Sequence, residues 1–417
     1  MTARLHSLQV SAGTLAGFLV ALAMGTSAIV FTEPAPADAM MMAVVFAVPV
    51  LGVAKFGKMA VVNLALWLGL VGTGLAAVCM STNMDTALTH QVVTLFLALG
   101  AFVLAGYIAA DPEPRIRLVM TFYVVACVIA TAAAFIGYFK ILPSAYDLFT
   151  NYGRARGTFK DPNVYGAAMA PALVFALWSL LRESAKRANI AAAVALVLAL
   201  GVLISFSRGA WFSTAASCLL LVWIAFVRSR RRSDLVRLGA VACLGSIGIV
   251  LVLGAALRLE AVGGLLEERA SLDQSYDMGP DGRFGGQSKA IDLILENPFG
   301  VGTHSFRDTF HVEEAHNVYL SMFLNAGWVG GALYIVSVMA TLIAGFRGAF
   351  RNGALQGPFL VVTAAFAGLV IEGFVIDTDH WRHFFFLMGC IWGLADAQAP
   401  IFDGTRRRRD KTAAAIA

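Results

Sequence analysis

Residues 283–331, RFGGQSKAIDLILENPFGVGTHSFRDTFHVEEAHNVYLSMFLNAGWVGG, belong to the longest polar interval of an otherwise apolar chain and run straight into an apolar segment. They hold three of the seven histidines, and His316-Asn317 is followed at fixed distance by Gly327 and Gly330. Working outward, the rest of the chain is a succession of apolar runs near the roughly 20 residues that span a bilayer as a helix. With 59% hydrophobic residues, 14% charged and a mean hydropathy of +0.76, the sequence predicts an all-α polytopic membrane protein.

About twelve transmembrane helices are expected, near 13–31, 37–54, 59–79, 91–110, 116–138, 164–181, 188–206, 209–227, 238–257, 317–346, 357–376 and 382–398. Only Ser207 and Arg208 separate the seventh from the eighth, and the tenth is long enough to hold a half-helix before its main span. The longest interval between apolar runs, 258–315, is shorter than an autonomous domain of about 100 residues. A single integral membrane domain over 1–417 is therefore expected, with one long outer loop at 258–316 and a basic cytoplasmic tail at 399–417. Residues 1–28 read as an uncleaved first span, since apolarity continues to Phe31. Cys79, Cys127, Cys218, Cys243 and Cys390 lie singly in apolar runs and read as small hydrophobes.

Lysine and arginine set the orientation, because short cytoplasmic loops retain positive charge. Placing the amino terminus inside puts 20 of the 31 basic residues in the cytoplasm, including Arg228 to Arg237 and Arg406 to Lys411, so both termini are cytoplasmic. Among the basic residues left outside, Arg258, Arg269, Lys289 and Arg307 sit in a loop long enough to escape the rule. Arg208 does not: it opposes the topology from a two-residue turn, which marks it as functional. The excess of +5 reflects loops facing anionic lipid, with no nucleic-acid partner implied.

Span middles are nearly free of charge, while Arg154, Arg156, Lys160, Asp161, Arg208, His316, Glu372, Asp377, Asp379, His380, Arg382 and His383 crowd the outer ends. Ion-coupled transporters put charge near the midplane instead. Chemistry at the outer interface is the expectation. Arginine forks meet phosphate oxygens bidentately and can stabilise a diphosphate without metal. One histidine beside them supplies a base suited to neutral pH.

Local patterning places His316. In QSKAIDLILENP, Ala290, Ile291, Ile294 and Leu295 recur at helical spacing opposite Lys289, Asp292 and Glu296, and Pro298 ends the run, predicting a short helix in the headgroup plane. Past PFGVG, a second helix is expected to begin near His316 and stop at Gly327. HVEEAH, with its histidines five apart, does not match helical zinc spacing. The DxD of DTDH at 377–380 is expected to join Glu372 in pairing with Arg382 or Arg208 along the rim. No metal site and no cofactor are assigned.

These residues resemble the O-antigen ligase and O-antigen polymerase superfamily of polytopic glycosyltransferases. The likeness is carried by His316-Asn317-x9-Gly327-x-x-Gly330, Gly282-Arg283, PFGVG at 298–302, FSRGAW at 206–211 and RARGTFKDPNVYG at 154–166. It covers most of 150–346. Gly331 stands where a small β-branched residue is usual, and Gln287 where ligases carry leucine, so ligase and polymerase both remain open.

The resemblance implies a GT-C-like fold and an inverting, metal-independent transfer of a glycan from an undecaprenyl diphosphate carrier at the periplasmic face of the bacterial inner membrane. His316 would be the base or orient the acceptor, and Arg208 and Arg156 would grip the diphosphate. Arg154, Lys160, Arg283 and Asn317 would contact substrate. The acceptor is either lipid A-core, for a ligase, or a lipid-linked glycan, for a polymerase of O-antigen or exopolysaccharide. A flippase of lipid-linked sugar is the remaining alternative.

Overall fold

In a lipid interior every backbone N–H and C=O must be satisfied within its own segment, so apolar runs of this length fold as helices. The computed structural model describes residues 2–258, 260–270 and 279–399. Among them are fourteen helices of eleven residues or more. The first nine are α1 (Thr2–Thr26), α2 (Pro36–Val50), α3 (Lys58–Ala77), α4 (Met84–Ala110), α5 (Pro112–Tyr138), α6 (Pro162–Arg182), α7 (Ala185–Ile204), α8 (Arg208–Arg228) and α9 (Arg232–Ala256). Then come α10 (Glu260–Ala270), α11 (Arg283–Glu296), α12 (Val318–Phe350), α13 (Gln356–Glu372) and α14 (Arg382–Gln398). The only sheet among the described residues is a hairpin, β1 (Thr150–Asn151) and β2 (Arg154–Ala155).

The chain is an all-α polytopic membrane protein. Each of the twelve expected spans coincides with a helix, and seven of these (α3 to α8 and α12) are long and apolar enough to cross a membrane. The count falls below twelve partly because α2, α13 and α14 have 15, 17 and 17 residues. At 1.5 Å per residue they reach roughly 22 to 26 Å, less than the roughly 30 Å hydrocarbon core. Nearly all of the tail expected at 399–417, and residues 271–278 of the long loop, lie outside the described residues.

Two of the short helices form the centre. Side chains are buried without interruption from Phe359 to Leu369 in α13 and from His383 to Leu394 in α14. Gly389 and Gly393, four apart, let α14 lie directly on α4: a methyl group at either would fall 2.6 Å from the carbonyl oxygens of Ala101 and Ala105. At the far end of α14, the Asp396 carboxylate accepts from the N–H groups of Met59 and Ala60, both at 3.0 Å, and so caps α3.

The long helix α12 is broken at Gly327, whose φ of 70° and ψ of −174° suit glycine alone. In an unbroken helix Trp328 N–H would bond the carbonyl of Leu324. Here Trp328 N–H donates to Pro298 O at 2.9 Å, and Leu324 O accepts from Val301 N–H at 2.8 Å and Gly302 N–H at 3.2 Å. The PFGVG turn therefore satisfies both groups that the break releases. No side chain fits in this joint, since a Cβ on Gly327 would lie 2.6 Å from Pro298 O and one on Gly300 2.6 Å from Leu324 O. The half-helix before the break and the main span after it match the sequence reading.

The helix predicted before Pro298 is α11. Its Ala290 is fully buried against Val301, Phe306, Ala315 and Leu324, a small core separate from the main one. Ile291 and Leu295, by contrast, are exposed. Half of the apolar stripe thus faces away from the protein, as suits a helix resting against lipid.

Candidate active site

Four arginines from separate parts of the chain line one cavity of about 150 Å³: Arg154, Arg208, Arg269 and Arg283. A cavity near this volume admits a ligand the size of benzene. Arg154 arrives on the β1–β2 hairpin, whose turn holds Tyr152 and Gly153 at φ of 52° and 68°, the mirror-image conformation of tight hairpins. Its Nε donates to Ser205 O at 2.9 Å and its Nη2 to Asn163 Oδ1 at 2.7 Å. Asn163 is held in turn by the start of α6, where Asp161 Oδ1 accepts from Asn163 N–H at 2.7 Å and Pro162 opens the helix.

Arg208 is the first residue of α8, after a turn so tight that Phe206 takes a positive φ of 48°. Ser207 caps the helix by accepting from Ala210 N–H, and Trp211 Nε1 donates back to Val202 O at 2.9 Å, folding α8 against α7. Arg283 is the first residue of α11 and Arg269 lies in the last turn of α10. Among the described lining residues the one carboxylate is Glu372, at the end of α13. Its Oε2 accepts from Ser213 Oγ at 2.6 Å, and its buried Oε1 accepts no hydrogen bond. Four guanidinium groups from separate elements converge here, a chemistry suited to phosphate oxygens.

His316 does not line that cavity. It sits just before α12 at φ 47°, a sparsely populated backbone region for a non-glycine residue. Asn317 fixes it there by capping α12, its Oδ1 accepting from Tyr319 N–H at 3.1 Å and Leu320 N–H at 3.3 Å. Carboxylates approach both ring nitrogens: Glu313 Oε2 is 3.1 Å from Nε2, and Asp377 Oδ2 is 4.0 Å from Nδ1. Asp377 accepts from Ser321 Oγ at 2.5 Å. Burial, and then the neighbouring Asp379 charge, push its carboxyl up to about 7.

The segment after α13 joins the two places. Val375 and Ile376 form part of the wall of the arginine cavity, and the next residue, Asp377, faces the imidazole. Val318 N–H donates to Gly373 O at 2.9 Å, and the Gln287 amide of α11 spans His316 O and Phe374 O, both at 3.4 Å. His316 and the arginine cavity therefore share a wall.

The other predicted residues lie elsewhere. Arg156 donates to the carbonyls of Lys160 and Asp147, both at 3.3 Å, and is not part of the cavity lining. Lys160 is exposed and pairs with Glu33 at 3.5 Å. It lines a second cavity of about 240 Å³, walled largely by apolar side chains such as Met24, Leu97, Leu104 and Phe386. Arg382 does not pair with Asp377 or Glu372 as expected; it grips both oxygens of Asp38, each at 2.7 Å, and approaches Glu33 at 3.7 Å. Asp379 turns instead to His90, 2.9 Å away.

Residues 192–335 match the family model of the O-antigen ligases. Over this segment, about a third of the chain, the protein is similar to the O-antigen ligases. No curated protein is significantly similar to the chain. The matched O-antigen ligase segment contains Arg208, Arg269, Arg283, His316 and the break at Gly327, while Arg154, Glu372 and Asp377 come from outside it. The match, together with the apolar helices, supports a multi-pass membrane enzyme of glycosyltransferase type.

Proposed function

We propose that the protein transfers a glycan from an undecaprenyl diphosphate carrier to an acceptor hydroxyl, with inversion and without metal, at the periplasmic face of the inner membrane. In this reading the 258–316 loop is periplasmic, both termini are cytoplasmic, and lipid A-core is the acceptor. The observation that carries it is the shared wall: four arginines around one anion-sized cavity, and the carboxylate facing His316 on the adjoining segment.

The acceptor oxygen attacks the anomeric carbon as the bond from that carbon to the diphosphate oxygen breaks. The electron pair leaves on the diphosphate, which Arg154, Arg208 and Arg283 neutralise in a partly dehydrated site. The acceptor proton passes to His316, and the flanking carboxylates stabilise the imidazolium that forms. Glu313 is exposed and able to give way to the acceptor at Nε2, while Asp377 holds the Nδ1 side. Asn317 shapes this site by capping α12. Arg156 and Lys160 shape the loop that presents Arg154.

Transfer assayed in proteoliposomes with lipid-linked donor tests the reading: His316→Ala is expected to abolish product, and near-normal transfer would remove His316 from the mechanism. The same site serves a polymerase that extends a lipid-linked glycan. Loss of all O-antigen from lipopolysaccharide on deletion indicates the ligase, and retention of one repeat unit indicates the polymerase.

A further inference from the structure

Two imidazoles and a carboxylate meet where α4 faces the segment leading into α14. His90 Nε2 is 2.9 Å from Asp379 Oδ2, and the rings of His90 and His380 stand 4.0 Å apart, centre to centre. One ligand atom from each of His90, Asp379 and His380 lies within 4.8 Å of the others. The His90 side chain is only 9% exposed, yet its Nδ1 is buried and makes no hydrogen bond. The nitrogen that faces Asp379 is Nε2, and that is the atom a metal shared with Asp379 would take.

Thr94 fixes the state of His380. Its single hydroxyl proton goes to His90 O at 2.9 Å, so it can only accept from His380 Nε2, also at 2.9 Å. That leaves the lone pair of His380 on Nδ1, with Nε2–H anchored by an outer partner as metal-binding histidines usually are.

We propose that His90, Asp379 and His380 bind a divalent transition-metal ion of the Zn²⁺ class. Two imidazoles and one carboxylate suit Zn²⁺ better than Mg²⁺ or Ca²⁺, which favour all-oxygen sites. Asp379 and His380 are among the residues that line the 240 Å³ cavity, so a metal held by them would border it. The site is separate from His316, and the inference does not rest on the transfer reaction proposed above.

The full chain, purified in detergent with a non-histidine tag and stripped with chelator, is titrated with Zn²⁺ and read by bound metal per chain and by thermal unfolding. The expected result is about one Zn²⁺ per chain and a rise in Tm that grows with free metal. His90→Ala and His380→Ala lose both, and His311→Ala, outside the group, keeps both. Asp379→Asn, nearly isosteric, guards against misfolding and is expected to weaken binding roughly tenfold or more. Absence of bound Zn²⁺ in the wild-type chain, or equal binding by His90→Ala and His380→Ala, would overturn the proposal.

Discussion

Asp377 holds a carboxylate oxygen 4.0 Å from Nδ1 of His316 while accepting a 2.5 Å hydrogen bond from Ser321 on the helix that His316 precedes. An imidazole in this position gains a fixed orientation. General-base catalysis contributes roughly 10² to 10⁴ in rate, so His316→Ala should lower glycan transfer by that range. Asp377→Asn, which keeps the shape and removes the charge, should fall between His316→Ala and wild type. Transfer rates per unit of folded protein decide it, and an Asp377→Asn enzyme with the wild-type rate would remove Asp377 from the site.

Removing one preorganised charge-stabilising donor costs roughly 10² to 10³ in kcat in comparable sites. Arg154→Ala, Arg208→Ala and Arg283→Ala should each lose activity on that scale and weaken binding of a lipid diphosphate. Arg156→Ala should lose less than tenfold by the same general scale, because its guanidinium serves the carbonyls of Asp147 and Lys160. Equal losses at Arg154 and Arg156 would show that the loop moves when substrate binds.

Gly327→Ala puts a side chain at φ 70° and drives its Cβ to 2.6 Å from Pro298 O. Backbone strain of this kind costs about 1–3 kcal/mol, before the clash is added. The variant should unfold at lower temperature in detergent and lose transfer with it. Gly72→Ala, at a helical glycine of α3 with open space around it and no positive φ, should change Tm less. A Gly327→Ala protein as stable and active as wild type would mean that the helix break is dispensable.

The orientation is testable without any activity. In a background lacking the five native cysteines, a single Glu313→Cys should react with a membrane-impermeant thiol reagent added from the periplasmic side. The exposed Glu313 side chain makes the position accessible. Labelling only after the cytoplasmic side is opened would place His316 in the cell interior and end the periplasmic reading.

Much of the frame was legible because lipid imposes one rule on every span, and the period of apolar residues then gave α11, Pro298 its end and Gly327 the break. Choosing between Arg154 and Arg156 was beyond the sequence. The two are two residues apart in RARG, and which of them enters the cavity depends on a two-residue turn held at positive φ. Arg269 looked like an ordinary loop charge because its three arginine neighbours come from other parts of the chain. His90 gave no signal at all, since it sits in an apolar run and its partner Asp379 lies 289 residues away.

The turn at 298–302 acts as a splint across the fracture in α12, holding Leu324 and Trp328 by the very groups that continuous helix would have joined. Loop and span are thus one mechanical unit. A graft that exchanges the loop between relatives has to carry residues 298–302 together with Gly327, because either half alone leaves raw peptide ends in the membrane and a histidine with nothing to stand on.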